Sequence, residues 1–93
     1  MATKVVFTAT ALGALKAILA HIATDRPMAA LALIDDLQQR VTAMLAQFPD
    51  AGARYQGEMR FVTVRKYSLI YRHDAAAGVV VVLDVVGPGR DWR

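Results

Sequence analysis

The two histidines are the residues of this chain best suited to proton transfer near neutral pH, and they lie far apart in the sequence. His21 falls inside a predicted helix and His73 at the end of a predicted strand. Neither belongs to a His-x3-His or His-Glu-x-x-His pattern, and the chain has no cysteine, so we predict no metal and no cofactor. His73, followed by Asp74, could be a general base with a partner; we favour the alternative of an exposed residue at the lip of a turn.

Asp84 is the one charged residue within an otherwise apolar run. A carboxylate inside a sheet is costly unless it is paired, so we expect Asp84 to bind an arginine of a neighbouring strand, or to lie where the sheet face meets water. Alternation places it on the same face as Val80, Val82 and Val86. Ser68 lacks the glycine-flanked turn of a serine nucleophile.

Arginines dominate the second half of the chain. All of the net charge of +3 lies in residues 51–93, where seven cations, six of them arginine, accompany four carboxylates. Four of the arginines fall at strand ends and in the C-terminal tail: Arg60, Arg65, Arg72 and Arg90. Guanidinium groups that converge bind phosphates or an acidic peptide, whereas dispersed ones make a solvated sheet edge that resists aggregation. Trp92 is either packed on the core, which we favour, or an exposed contact residue.

The spacing of apolar residues predicts two helices. Leucines and isoleucines three and four residues apart from Thr10 to Ile22 predict the first helix, with Thr8 or Thr10 as its cap. Pro27 fits the first position of a second helix, which we predict from Pro27 to Gln47. Because the connection between them is short, the helices should form an antiparallel hairpin that covers a sheet.

Four strands are predicted around these helices, one before them at residues 3–8 and three after them at 60–64, 67–72 and 79–86. The last run is apolar on both faces, which places it in the middle of the sheet. Arg65-Lys66 lacks the Asn or Gly typical of a tight hairpin, so the register there stays open. The order β-α-α-β-β-β predicts one α+β domain over residues 1–93, with the helical hairpin on a small, largely antiparallel sheet.

The chain shows no signal for a membrane or for export. No apolar run reaches the roughly 18 residues of a membrane span, and the N-terminus lacks the apolar segment of a secretory signal. Together with the absence of cysteine, this predicts a cytoplasmic protein without a membrane partner.

Several short stretches follow one another in a characteristic order. They are the first strand with its threonine-rich helix start, Thr24-Asp25-Arg26-Pro27 with Ala29-Ala30, Phe48-Pro49 with Gly52, Arg60-Phe61-Val62-Thr63-Val64, Tyr67-Ser68-Leu69-Ile70-Tyr71-Arg72, and the valine strand leading to Arg90-Asp91-Trp92. In this order and spacing the chain, over nearly its whole length, resembles the ParE/RelE superfamily of bacterial toxin–antitoxin systems, and the plasmid-stabilisation branch in particular.

The resemblance implies a small cytoplasmic toxin that a cognate antitoxin holds inactive by wrapping its C-terminal segment over it, in a hetero-oligomeric complex. The RelE-like branch cleaves mRNA in the ribosome with basic and aromatic residues on the sheet and near the C-terminus. The ParE-like branch is non-enzymatic and poisons DNA gyrase.

The end of the last strand favours the ParE-like branch. Where many relatives carry a His-Gly-Arg-Arg-type string, this chain reads Gly87-Pro88-Gly89-Arg90. RNA cleavage needs groups that accept and give protons, and arginine stays protonated. The remaining candidates for proton transfer are Glu58, Tyr67, Tyr71 and His73. If the chain is a nuclease, Arg60 and Arg90 are further candidates, able to stabilise charge. We therefore expect a gyrase inhibitor; the alternatives are a ribosome-dependent mRNA endonuclease and a toxin of this fold with another target.

A protein partner is also expected from composition. The wide apolar stripe of the second helix and the alanine-rich first helix exceed what a small sheet can cover, and exposed apolar patches mark interfaces. We expect the antitoxin to combine an amphipathic helix for this groove with an acidic segment for the arginines. The predicted partner-binding residues are Arg60, Arg65, Arg72, Arg90 and Trp92.

Overall fold

The computed structural model of the chain describes residues 3–88 and places its strands in one sheet. The elements are β1 (Lys4–Phe7), α1 (Ala9–Ala23), α2 (Pro27–Gln47), β2 (Ala53–Arg54), β3 (Met59–Val64), β4 (Tyr67–Asp74) and β5 (Val79–Val86). The strand order is β1-β5-β4-β3-β2; β1 is parallel to β5, and the other neighbours are antiparallel. The predicted α+β fold is confirmed, and β2 is an additional short strand between α2 and β3 that the sequence analysis did not predict.

Helix α1 begins at a threonine that also ties it to the sheet. The Thr8 hydroxyl oxygen accepts a hydrogen bond from the Ala11 N–H at 3.1 Å and donates one to the Leu83 carbonyl at 3.1 Å. Thr8, rather than Thr10, is therefore the cap. Pro27 is the first residue of α2, as its fixed φ predicts. Within residues 3–88, neither helix has both the length and the apolar character needed to cross a bilayer.

The core forms between the helical hairpin and one face of the sheet. Each helix contributes apolar residues three or four positions apart, and each central strand contributes every second residue. The buried set is Ala11, Leu15, Leu37, Val41, Leu45, Val62, Val64, Leu69, Tyr71, Val80, Val82 and Val85. The opposite face of the sheet, called the open face below, is covered by neither α1 nor α2. Strand β5 lies between β1 and β4, where its two apolar faces predicted it.

A β-bulge in β5 determines the face on which Asp84 lies. Ile70 pairs with Asp84, whereas the next residue, Tyr71, pairs with Val82, so Leu83 is the extra residue. Asp84 therefore lies on the open face, and the prediction that it shares a face with Val82 is wrong. It is half-buried and accepts a hydrogen bond from the following backbone N–H at 2.8 Å. Within the described residues it has no arginine partner, so the alternative, a sheet face that meets water, applies.

The β3–β4 connection is a two-residue hairpin made by Arg65 and Lys66. Both residues have a left-handed backbone conformation, with φ of 51° and 73°. Val64 pairs with Tyr67, which settles the register that the sequence left open. Left-handed backbone costs roughly 1–2 kcal/mol for each residue with a Cβ. The flanking strands therefore impose a turn that the dipeptide itself disfavours.

Candidate functional site

A polar pocket lies at the end of the sheet where β3 begins and β4 ends. It has a volume of about 210 Å³ and is lined by Asp50, Arg54, Gly57, Glu58, Met59, Arg60 and His73. We call it the Asp50 pocket. Alternation along the strands explains its position: Arg60 shares the face of Val62, and His73 shares the face of Tyr71, so both side chains point to the helix side. There they meet Asp50, in the loop that follows α2.

Asp50 joins these two strands through its carboxylate. Its Oδ1 lies 2.9 Å from Nδ1 of His73 and 3.8 Å from Nε of Arg60. The hydrogen bond with His73, and then the charges of His73, Arg60 and Arg54, hold the pKa of Asp50 below its usual value. The expectation of an exposed His73 is wrong, because its side chain is only 17% exposed and its partner is Asp50 rather than Asp74. Nε2 is the ring nitrogen that Asp50 leaves available.

Gly52 holds the same loop against the sheet. Its N–H donates a hydrogen bond to the Tyr71 hydroxyl at 2.8 Å, and its carbonyl accepts one from Nη1 of Arg60 at 2.9 Å. A Cβ at this position would lie 2.7 Å from both the Phe61 carbonyl oxygen and the Tyr71 ring. Burial raises the pKa of the Tyr71 hydroxyl, so it stays neutral. The loop that carries Asp50 is therefore fixed before any ligand arrives.

Two arginines stand side by side at the rim of the pocket. Arg54 of β2 is directly opposite Arg60 of β3 in the antiparallel register, so their side chains emerge on the same face. Arg60 is partly neutralised by Asp50. Within residues 3–88, Arg54 makes no hydrogen bond or ion pair. Its guanidinium is available to a ligand.

The described arginines of the predicted partner site do not converge. Arg60 and Arg65 lie at opposite ends of β3, and Nη1 of Arg65 lies 3.3 Å from Asp36 on α2. Arg72 is on the open face, with Nη1 3.9 Å from Asp74. Of the two alternatives left open by the sequence, the described arginines follow that of dispersed charges, at three separate positions. Two other predicted partner residues lie outside the described part of the chain: Arg90 and Trp92.

The described nuclease candidates all lie on the helix side of the sheet. Tyr71 is completely buried, and Tyr67 packs against the core. Arg60 and His73 point into the Asp50 pocket, where Glu58 also lies. Arg90, the remaining candidate, is outside the described residues.

The open face presents residues without proton-transfer chemistry at the centre of the β3–β4 hairpin. The side chains there are Phe61, Thr63, Ser68 and Ile70. The Thr63 and Ser68 hydroxyls lie 3.3 Å apart and share a hydrogen bond. RNA lying across the centre of this hairpin would meet no group that titrates near neutral pH.

Among residues 3–88, large apolar side chains are exposed in two places. Leu12, Met28 and Leu31 on the helical hairpin are 41%, 77% and 55% exposed, and a groove of about 180 Å³ runs between α1 and α2 beside Leu12. Phe48, two residues before Asp50, is 61% exposed. The second place is thus on the same loop connection as Asp50, at the end of α2.

Asp50 and Arg54 are the site residues that the sequence analysis missed. Nothing in the spacing of Asp50 marks it, because it lies in an irregular loop. The sequence did contain a signal for Arg60 and His73. Every second residue of a strand faces inward, and Arg60 and His73 are the next inward-facing positions beyond the apolar ones of β3 and β4. Among the described residues, no group of histidine and acidic side chains is arranged to hold a metal ion.

Comparison with known proteins identifies a toxin family and agrees with the fold described above. The model of the family described as ParE toxin of type II toxin-antitoxin system, parDE, matches residues 5–92. A chain of the chromosomal ParDE system of P. aeruginosa superposes with a TM-score of 0.80 at 22% identity, over 92% of this chain and 96% of that one. No curated protein gave a match.

Two RelBE complexes share the same fold. For a chain of RelBE2 from Mycobacterium tuberculosis the TM-score is 0.71 at 20% identity, over 97% of this chain and 95% of that one. For a chain of the intact E. coli RelBE complex it is 0.67 at 18% identity, over 96% of this chain and 100% of that one. At 18–22% identity, the likeness to these three structures shows a common fold. The family itself is shown by the family model, which matches residues 5–92. The chain belongs to the ParE toxin family of type II toxin–antitoxin systems.

Proposed function

We propose that this toxin binds and poisons DNA gyrase without a bond-breaking step, in the cytoplasm, and that a cognate antitoxin neutralises it. Membership of the ParE family supports the gyrase target. The observation that carries the non-enzymatic part is the placement of the nuclease candidates. None of those described lies on the open face, and Tyr71 is completely buried.

This placement matters because RNA cleavage requires an acid and a base within hydrogen-bond reach of the reacting atoms. The centre of the β3–β4 hairpin offers only apolar and hydroxyl side chains on its open face. The Tyr71 hydroxyl is already used, since it accepts the Gly52 N–H at 2.8 Å. A substrate across the centre of this hairpin would therefore meet no acid–base pair, although Asp84 and Arg72 lie elsewhere on the same face.

A ribosome-dependent endonuclease is the second candidate, and one observation favours it. His73 is held by Asp50 at Nδ1, which leaves Nε2 to exchange a proton, and Arg54 and Arg60 could stabilise charge on a phosphate. Against this, Asp50 and Glu58 line the same pocket and repel a polyanion. The pocket volume of about 210 Å³ also suits a single side chain better than a nucleotide.

Neutralisation by an antitoxin fits the exposed apolar residues. Leu12 and Leu31 flank the helical hairpin, and a groove of about 180 Å³ lies between the helices. An amphipathic helix binds such a groove through residues three or four positions apart, and a disordered segment can fold onto it. The resulting complex would be hetero-oligomeric, with an acidic segment of the antitoxin on the arginines.

Induced expression in bacteria tests the proposal through plasmid topology and transcript 5′ ends. We expect growth arrest, loss of plasmid negative supercoiling and intact transcripts, with rescue by the small open reading frame next to the toxin gene. His73→Asn is the diagnostic variant, since the Asn amide can replace the hydrogen bond to Asp50 but cannot transfer a proton. The variant should arrest growth as strongly as wild type. Truncated transcripts that disappear in His73→Asn would establish the endonuclease instead.

A further inference from the structure

We propose that Arg54 and Arg60 form a clamp for one carboxylate side chain of the antitoxin, next to an apolar contact on Phe48. The inference rests on the proposed neutralisation by an antitoxin and identifies where its acidic segment binds. It assigns to the Asp50 pocket a role in partner recognition.

The register of β2 and β3 is the first argument. Arg54 and Arg60 are directly opposite each other, and like charges in that position destabilise a sheet. Asp50 partly neutralises the charge of Arg60, because its Oδ1 lies 3.8 Å from Nε of Arg60. A second carboxylate between the two guanidinium groups would remove the repulsion and accept several N–H donors at once.

The unequal use of the two arginines is the second argument. Arg60 is engaged by the Gly52 carbonyl at Nη1 and by Asp50 near Nε, and its side chain is only 23% exposed. Arg54 is exposed and, among residues 3–88, its guanidinium makes no hydrogen bond or ion pair. Arg60 is thus a fixed donor and Arg54 a free one, so the pair can close on an incoming carboxylate.

Charge and size select a carboxylate over a phosphate. The pocket is lined by two arginines and by two acids, Asp50 and Glu58, so the two guanidinium charges are balanced by two carboxylates. A polyphosphate backbone gains little from such a surface, whereas one monoanionic side chain fits between the arginines. Phe48, 61% exposed and two residues before Asp50 in the sequence, suits an apolar neighbour in a peptide. Arginine and aromatic residues are both enriched in protein interfaces.

Charge reversal of Arg54 gives a clean test. The Arg54 side chain is exposed and makes no hydrogen bond or ion pair among the described residues, so Arg54→Glu should fold. Because it replaces the like-charge pair with Arg60 by an opposite-charge pair, its melting temperature should not fall below that of wild type. The dissociation constant of the co-expressed toxin–antitoxin complex should rise by about tenfold or more. Lys66→Glu is the matched control, since it makes the same charge change at the far end of β3 and should shift the constant by less than about twofold.

A compensating change identifies the partner group. Each acidic residue in the C-terminal segment of the antitoxin is replaced in turn by arginine and tested against Arg54→Glu. One of these replacements should restore binding to within about threefold of wild type. Wild-type affinity of Arg54→Glu for the antitoxin, or a failure of every replacement to restore binding, would overturn the clamp.

The outcomes separate this inference from the proposed function. If the wild-type toxin binds no antitoxin, the neutralisation proposal fails and the clamp fails with it. If the wild-type toxin binds and Arg54→Glu binds equally well, only the clamp fails. If Arg54→Glu keeps antitoxin binding but loses retention on single-stranded RNA that the wild type binds, the pocket serves a nucleic acid, and the clamp is again overturned.

Discussion

The Tyr71 hydroxyl oxygen lies 2.8 Å from the backbone nitrogen of Gly52, although 19 residues separate the two in sequence. This hydrogen bond joins the buried face of β4 to the loop that carries Asp50, and it is the buried contact on which the pocket depends. Tyr71→Phe would leave a buried N–H without a partner. We therefore expect the free energy of unfolding to fall by about 1–3 kcal/mol in urea denaturation. Tyr67→Phe is the control, because the Tyr67 hydroxyl makes no hydrogen bond within residues 3–88. Equal stability of Tyr71→Phe and wild type would refute this role.

The Asp50 carboxylate should make stability depend on pH in the acid range. The hydrogen bond with His73 lowers the pKa of Asp50 in the folded protein. A carboxyl with a lowered native pKa stabilises the fold above its unfolded value of about 3.9, and this stabilisation is lost as the pH falls through the native pKa. Asp50→Asn removes the titrating group. As the pH falls below about 4, the free energy of unfolding of this variant should decrease less steeply than that of wild type.

Asp25→Asn controls for the change in net charge, since the Asp25 side chain makes no contact within the described residues. It should follow the wild-type decline. Parallel acid-unfolding curves for wild type and Asp50→Asn would show that the Asp50–His73 contact contributes nothing to stability.

Thr8 should be the more important of the two threonines at the start of α1. Its hydroxyl oxygen accepts the Ala11 N–H and donates to the Leu83 carbonyl, both at 3.1 Å. Loss of a threonine cap costs about 0.5–2 kcal/mol, so Thr8→Ala should lower the free energy of unfolding by that amount. Thr10 lies inside the helix and is exposed. Thr10→Ala should be neutral or slightly stabilising, and a larger loss from Thr10→Ala than from Thr8→Ala would contradict the capping assignment.

The β3–β4 turn offers a stabilising substitution. Lys66 has φ of 73°, a conformation that glycine adopts without the strain of a Cβ. Lys66→Gly should raise the melting temperature, with a gain in the free energy of unfolding of about 1 kcal/mol. Lys66→Ala removes the same charge but keeps the Cβ, so it should show no gain. A melting temperature that rises equally in both variants would attribute the effect to charge rather than to backbone strain.

Local patterns predicted the elements well because each element has a period of its own. The leucine and isoleucine spacing located α1, Pro27 located the start of α2, and the valine run located the central strand β5. The β3–β4 turn was harder, since Arg65-Lys66 carries no turn signal of its own. Its conformation comes from the pairing of Val64 with Tyr67, a tertiary effect.

The site was less predictable because it depends on contacts between distant segments. Alternation along the strands could have indicated that Arg60 and His73 face inward, but nothing in the sequence indicates that the loop after α2 brings Asp50 to both of them. The single extra residue at Leu83 reversed the face of Asp84, and no sequence signal marks such a bulge. Side-chain placement near a bulge or an irregular loop therefore required the structure.

Gyrase supercoiling of relaxed plasmid in the presence of the purified toxin tests the central claim most directly. We predict that the toxin inhibits supercoiling at a stoichiometric ratio to gyrase and that His73→Asn inhibits as well as wild type. An equimolar amount of antitoxin should restore supercoiling. Normal supercoiling with excess toxin, together with cleavage of translated mRNA that is lost in His73→Asn, would contradict the claim.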